Sequence, residues 1–145
     1  MKFLLIVLLL LPLTSFAKED LALSKDDVLS RIDSGTLNFS KSFALPLEDK
    51  DKNGKTVKVP QDMLIARLKQ KNPSLKEEYL YYMYLRTNKW EYSVFYEWYS
   101  RKCVLRISEF TRKDGYMEYK ASEMMMKGAE IPVKYCEKLY GIKIK

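Results

Sequence analysis

The sequence predicts a mainly α fold: a single-domain, disulfide-stapled helical bundle with a short polar β-hairpin. Three observations lead to that expectation. Ser24-Lys25-Asp26-Asp27 and Ser74-Leu75-Lys76-Glu77 both have the form of a capping box, in which a hydroxyl and a carboxylate satisfy the free N–H groups of a helix start. Tyr92, Phe95, Tyr96, Tyr99, Cys103, Ile107 and Phe110 fall on one stripe at roughly 3.6-residue spacing, with Ser93, Glu97, Ser100, Arg101, Ser108 and Thr111 opposite. Cys103 and Cys136, the two cysteines of the chain, supply the staple.

Residues 1–17 read as a secretory signal peptide. Lys2 gives the positive start, Phe3 to Leu11 an apolar run, and Ser15-Phe16-Ala17 the small residues a signal peptidase requires. A membrane-spanning helix takes about 20 apolar residues. This run is shorter and is closed by Lys18-Glu19-Asp20, so no transmembrane segment is expected after cleavage following Ala17. The expected location is periplasmic or secreted, with residues 18–145 forming one helical domain. An oxidising compartment favours joining Cys103 to Cys136, for a stabilisation of roughly 3–4 kcal/mol by chain entropy.

The first helix starts at Ser24, is stapled by Leu23 and Val28, and stops at Gly35 in a left-handed C-terminal position. Asn53-Gly54 between extended flanks predicts a type I′ hairpin. From Pro60 the helical period returns, with Leu64, Ile65 and Leu68 on one face and a stop at Asn72-Pro73. The helix opened by Ser74 carries the apolar run Tyr79 to Leu85 and is therefore expected to be central.

Segment 90–111 has two competing patterns. Tyr92, Val94, Tyr96 and Trp98 alternate with Glu91, Ser93 and Glu97, as in a strand. That alternation covers the first half only, whereas the helical stripe covers the whole and sets Glu97 four residues before Arg101 as an ion pair. A helix is the expectation. Asp114-Gly115 ends it, another helix runs from Tyr116 to Lys127 and stops at Gly128, and a last one runs from Pro132 to Gly141. The total is five or six helices.

For function, exclusions come first. The 145 residues include 26 Lys+Arg, 19 Asp+Glu and no histidine, for a net charge of +7. Lack of histidine removes Ser-His-Asp and Cys-His triads and every histidine-ligated metal site. Asp49-Lys50-Asp51-Lys52-Asn53-Gly54 matches the first half of a calcium-binding EF-hand loop, but Pro60 stands where the bidentate glutamate belongs. A polar hairpin tip explains it. Met124-Met125-Met126 could hold Cu(I) only if their side chains converged, and consecutive helical positions diverge by about 100°. Core packing is the better reading, so no metal and no cofactor is expected. The lysines are scattered and no recognition motif is present, which with export argues against nucleic acid.

Residues 18–62 are nearly charge-balanced, and 63–145 carry the positive excess. That asymmetry points to an acidic partner surface in the cell envelope. Ten aromatic residues crowd the segment Tyr79 to Tyr99. Such side chains suit protein interfaces and sugar stacking, which makes a glycan the second partner class. The expected function is a small non-enzymatic exported binding protein, such as an inhibitor, an immunity protein or an envelope accessory factor. The alternative is a glutamate-dependent cell-wall glycan hydrolase, for which Glu91, Glu97 and Glu109 are the candidate acids, though no local signature marks them. The candidate partner-binding residues are Lys89, Trp90 and Trp98, because Trp90, Val94 and Trp98 recur every four residues along one side of the expected helix.

Overall fold

The computed structural model describes residues 21–120 and 128–145. The chain opens as the sequence reading has it. Helix α1 spans Lys25–Ser34, with the reciprocal capping box of Ser24 and Asp27 formed and Gly35 in the left-handed conformation at φ 69°. Strand β1 (Ser40–Phe43) follows, then a two-stranded hairpin of β2 (Glu48–Lys50) and β3 (Thr56–Lys58), then helix α2 (Gln61–Lys71). Asn72 ends α2, as expected.

From Ser74 the structure departs from the helical bundle. The apolar run is not a central helix: a short 3₁₀ turn (Glu77–Leu80) leads into strand β4 (Tyr81–Arg86). Segment 90–111 is not a helix either, but strand β5 (Trp90–Glu97) and most of strand β6 (Lys102–Lys113). Tyr116–Tyr119, expected to begin a helix, is strand β7, followed by β8 (Ala129–Ile131) and helix α3 (Val133–Tyr140). Among the described residues there are three α-helices, so the mainly α, all-helical bundle is replaced by a mainly β domain. The signal peptide (residues 1–17), the Met124–Met126 run and the end of the expected helix at Lys127 lie outside the described residues.

The main sheet is antiparallel, in the order β1-β4-β5-β6-β7, and β8 also pairs with β6. Alternation in strands sends neighbouring side chains to opposite faces. One face carries Met83, Val94 and Leu105 in one row and Leu85, Tyr92 and Ile107 in the next. This core face packs against α1 and α3 through Val28, Ile32, Tyr135 and Cys136. The Cys103–Cys136 disulfide is present and joins β6 to α3, with Cα atoms 5.9 Å apart and both residues fully buried. A smaller cluster of Ile65, Leu75 and Leu80 seats α2 beside Phe43, Tyr81 and Trp98.

Two turns show why the helical reading failed. Asp114 and Gly115 both have positive φ (51° and 80°) and join Lys113 to its partner Tyr116, so the two-residue type I′ hairpin is here. At Asn53-Gly54 only Gly54 has positive φ, and the turn is instead closed by Asp51, whose carboxylate accepts from the N–H groups of Asn53 and Lys55. The β5–β6 turn is made by Trp98 to Arg101, with Arg101 at φ 57°. A left-handed arginine announces nothing in a sequence, because glycine or asparagine usually takes that position.

Candidate functional site

The second face of the sheet is polar at its centre. Three rows cross it: Arg86, Glu91 and Ser108; Tyr84, Ser93 and Arg106; Tyr82, Phe95 and Val104. Six of them (Tyr82, Glu91, Ser93, Phe95, Arg106 and Ser108) line an open recess of about 410 Å³, together with Ala44 and Tyr119. All but Ala44 come from strands, so the floor is as rigid as the ladder that carries it.

Half of the recess is electrostatically closed. The Glu91 carboxylate is buried and is held by Arg86 Nε, and the Tyr119 hydroxyl donates to it at 2.8 Å. Burial, reinforced by the bond to Glu91 and its charge, pushes the Tyr119 phenol up to about 12. Arg86 also lies over the Tyr84 ring, 4.3 Å from its centroid.

The other half is open. Arg106 stacks over Phe95 at 5.2 Å from the ring centroid, and its Nε is buried with no hydrogen-bond partner. Buried guanidinium N–H groups nearly always find an acceptor. Ser93, directly across the ladder from Arg106, and Ser108 are buried beside it. On the same face Arg112 lies over Phe110, 5.7 Å from the ring centroid. Neither Arg106 nor Arg112 has a carboxylate partner among the described residues.

The residues singled out from sequence are scattered by the strand geometry. Trp90 begins β5 and Trp98 follows its last residue, so they stand about 25 Å apart along the strand rather than about 12 Å along a helix. Both are half-buried against the main core, and Trp98 touches the α2 cluster as well. Trp98 also lines a second recess of about 380 Å³ with Lys76, Tyr96 and Arg101. Lys89 reaches the core-face side, where its ammonium lies 3.2 Å from Glu109.

The three candidate acids are likewise separated. Glu109 opposes Trp90 and Glu91 opposes Ser108, which sets the two carboxylates on opposite faces of the sheet. The hydrogen bond from Lys120, helped by Lys89, holds Glu109 below the usual carboxylate range against the effect of its burial. Glu97 accepts from the Ser100 hydroxyl at 2.8 Å and does not pair with Arg101, correcting the helical ion pair. A glycosidase needs two carboxyl groups flanking one cleft, one of them kept protonated. These glutamates do not supply that arrangement.

In the hairpin, Asp49 pairs with Arg67 at 3.0 Å, and the Asp51 carboxylate is engaged with its own turn. No group of three His, Cys, Asp or Glu among the described residues could hold a metal ion. No described helix is long and apolar enough to cross a membrane.

Arg106 and its serines escaped the sequence reading. The available signal was the alternation of Val104, Arg106 and Ser108 with Cys103, Leu105 and Ile107. Comparison with protein-family models, curated proteins and solved structures finds no match, so the site is read from its own geometry.

Proposed function

We propose that this chain is a non-enzymatic binding protein, exported to the periplasm or the medium, that docks an acidic protein partner on the polar face of its sheet. An inhibitor, an immunity protein and an envelope accessory factor all fit this description. The observation that carries the reading is Arg106: it lines an open recess, its Nε is buried without a hydrogen-bond partner, and its guanidinium pairs with no carboxylate of the described residues. Arg112 on the same face extends the unmatched positive charge, and like charges on a partner would weaken association. The Cys103–Cys136 bridge fits an oxidising compartment. The glycan hydrolase reading lacks support from Glu91 and Glu109, which are separately closed by basic groups.

The test is capture on the immobilised, oxidised chain from envelope and culture fractions, washed at low and then high salt. A partner with an acidic surface should be retained at low salt and released at high salt. Failure to retain any protein at low salt from either fraction overturns the proposal.

A further inference from the structure

We infer that the Arg106 recess is a carboxylate site, which receives a single acidic side chain or chain-terminal carboxylate of the protein partner. The source of the carboxylate rests on the binding-protein reading above; its chemistry rests on the recess alone. Arginine presents a planar fork of donors that matches the two oxygens of a carboxylate. Here the guanidinium lies over Phe95, with its centre 5.2 Å from the ring centroid. Its Nε is buried and unpartnered, so one arm of the fork is already desolvated and aimed at no protein acceptor.

Ser93 stands directly opposite Arg106 in the β5–β6 register, and Ser108 lies two residues further along β6. Both are buried and line the same recess, and their hydroxyls are donors suited to oxygens that Arg106 leaves unsatisfied. Tyr82, Phe95 and Ala44 provide the apolar walls for the stem that carries the charge.

Glu91 decides which anion fits. Its carboxylate lines the same recess, where Arg86 and the Tyr119 hydroxyl hold it. That cluster is close to neutral, which leaves one net positive charge, that of Arg106, for the ligand. A monoanion matches it. A phosphate dianion would bring a second charge that no further cation among the described residues lining the recess matches.

The test uses the full oxidised chain, labelled with nitrogen-15, and three probes that each carry a phenyl ring: 3-phenylpropionate, 3-phenylpropionamide and phenyl phosphate. The Nε–H signal of Arg106, assigned by its disappearance in Arg106→Gln, should shift saturably with 3-phenylpropionate at millimolar concentration. The amide should leave it in place, and phenyl phosphate should bind at least about tenfold more weakly. No saturable shift with 3-phenylpropionate, an equal shift with the amide, or tighter binding of phenyl phosphate overturns the inference. Arg106→Lys keeps the charge without the fork and Ser108→Ala removes one flanking donor, so each should weaken the carboxylate and still fold.

Partner capture separates the two proposals. A partner held by the wild-type chain should be lost by at least about tenfold in Arg106→Gln. Undiminished capture by that variant overturns the carboxylate site while leaving the binding protein intact. A saturable Arg106 shift with no partner retained by the wild type has the reverse meaning.

Discussion

The two faces of the central sheet are built from alternate residues of the same strands, and they use polar groups in opposite ways. On the core face, hydroxyls tie elements together: Tyr92 accepts from the Leu23 N–H at 2.8 Å, and Tyr140 donates to the Tyr81 carbonyl at 2.7 Å. The disulfide adds a covalent link from β6 to α3 on that side. On the other face one cluster closes on itself at Glu91, and the Nε of Arg106 is left buried without a partner. The first arrangement fixes the fold; the second leaves a donor that no group of the described structure satisfies. Under the proposed function, stability and recognition are divided between residues that are neighbours in sequence.

The largest test of that division is the covalent link. Replacing both cysteines by alanine should lower unfolding free energy by roughly 3–4 kcal/mol, by the loop-entropy argument for residues 33 apart. Urea denaturation of the two chains measures it. A loss below about 1 kcal/mol would mean that the core face does not depend on its staple.

Adjacent residues then sharpen the contrast. Val94 is fully buried on the core face, and Ser93 is buried on the polar face. Val94→Ala should cost about 2 kcal/mol through lost burial and the cavity left behind. Ser93→Ala should stay within about 0.5 kcal/mol, since it removes no hydrogen bond within the described structure. Equal losses in the two denaturation curves would abolish the distinction between the faces.

That alternation was the part of the sequence most easily misread. The ends of the chain were legible, because their signals are local: the Ser24 capping box with Gly35, and the helix from Pro132 to Gly141, form as their residues suggest. The hairpin at Asn53-Gly54 was also found, with its turn type wrong. The middle was not legible, for three physical reasons. The polar face carries its own apolar residues, Phe95, Val104 and Phe110, so the alternation of β5 and β6 is broken and a helical stripe can be drawn through both faces. The turn between those strands uses Arg101 in a left-handed conformation, without the glycine that would mark it. Strand pairing is long-range, and Tyr79 to Leu85 reads equally as a buried helix or as a strand covered on both sides. With the strands misread as a helix, Arg106 and Ser93 could not be placed together.

Next in size is the bond made by Tyr140. Its hydroxyl donates to Tyr81 and accepts from the Tyr96 N–H, and burial pushes its phenol up to about 12. Tyr140→Phe should cost about 1–2 kcal/mol at neutral pH. The sign with pH follows from the raised value. A group whose pKa in the folded chain lies above its ordinary 10 stabilises fully below pH 10, and that contribution disappears as pH rises toward about 12. Tyr119 behaves in the same sense on the other face, for burial and for its bond to Glu91. Urea midpoints at pH 8 and near pH 11 should therefore converge for wild type and Tyr140→Phe. A gap that stays constant across that range would place the hydroxyl outside the network that ties α3 to the sheet.

The smallest effect is also the one that separates the faces most directly. A buried donor without a partner typically destabilises by about 1–3 kcal/mol, and Arg106 Nε is such a donor. Methionine matches the stem of arginine as far as Nε, is apolar and polarisable, and carries no N–H to desolvate. It forfeits the cation–π contact, worth about 0.5–1 kcal/mol at a partly exposed site. The two terms nearly offset, with the orphaned donor the larger, so Arg106→Met should leave stability unchanged or raise it by up to about 1 kcal/mol. No residue of the core face should behave this way, since each is held by packing that a substitution can only loosen. A loss of more than about 1 kcal/mol in the urea curve of Arg106→Met would show that this arginine supports the fold. The polar face would then be a second structural surface rather than one kept open for a partner.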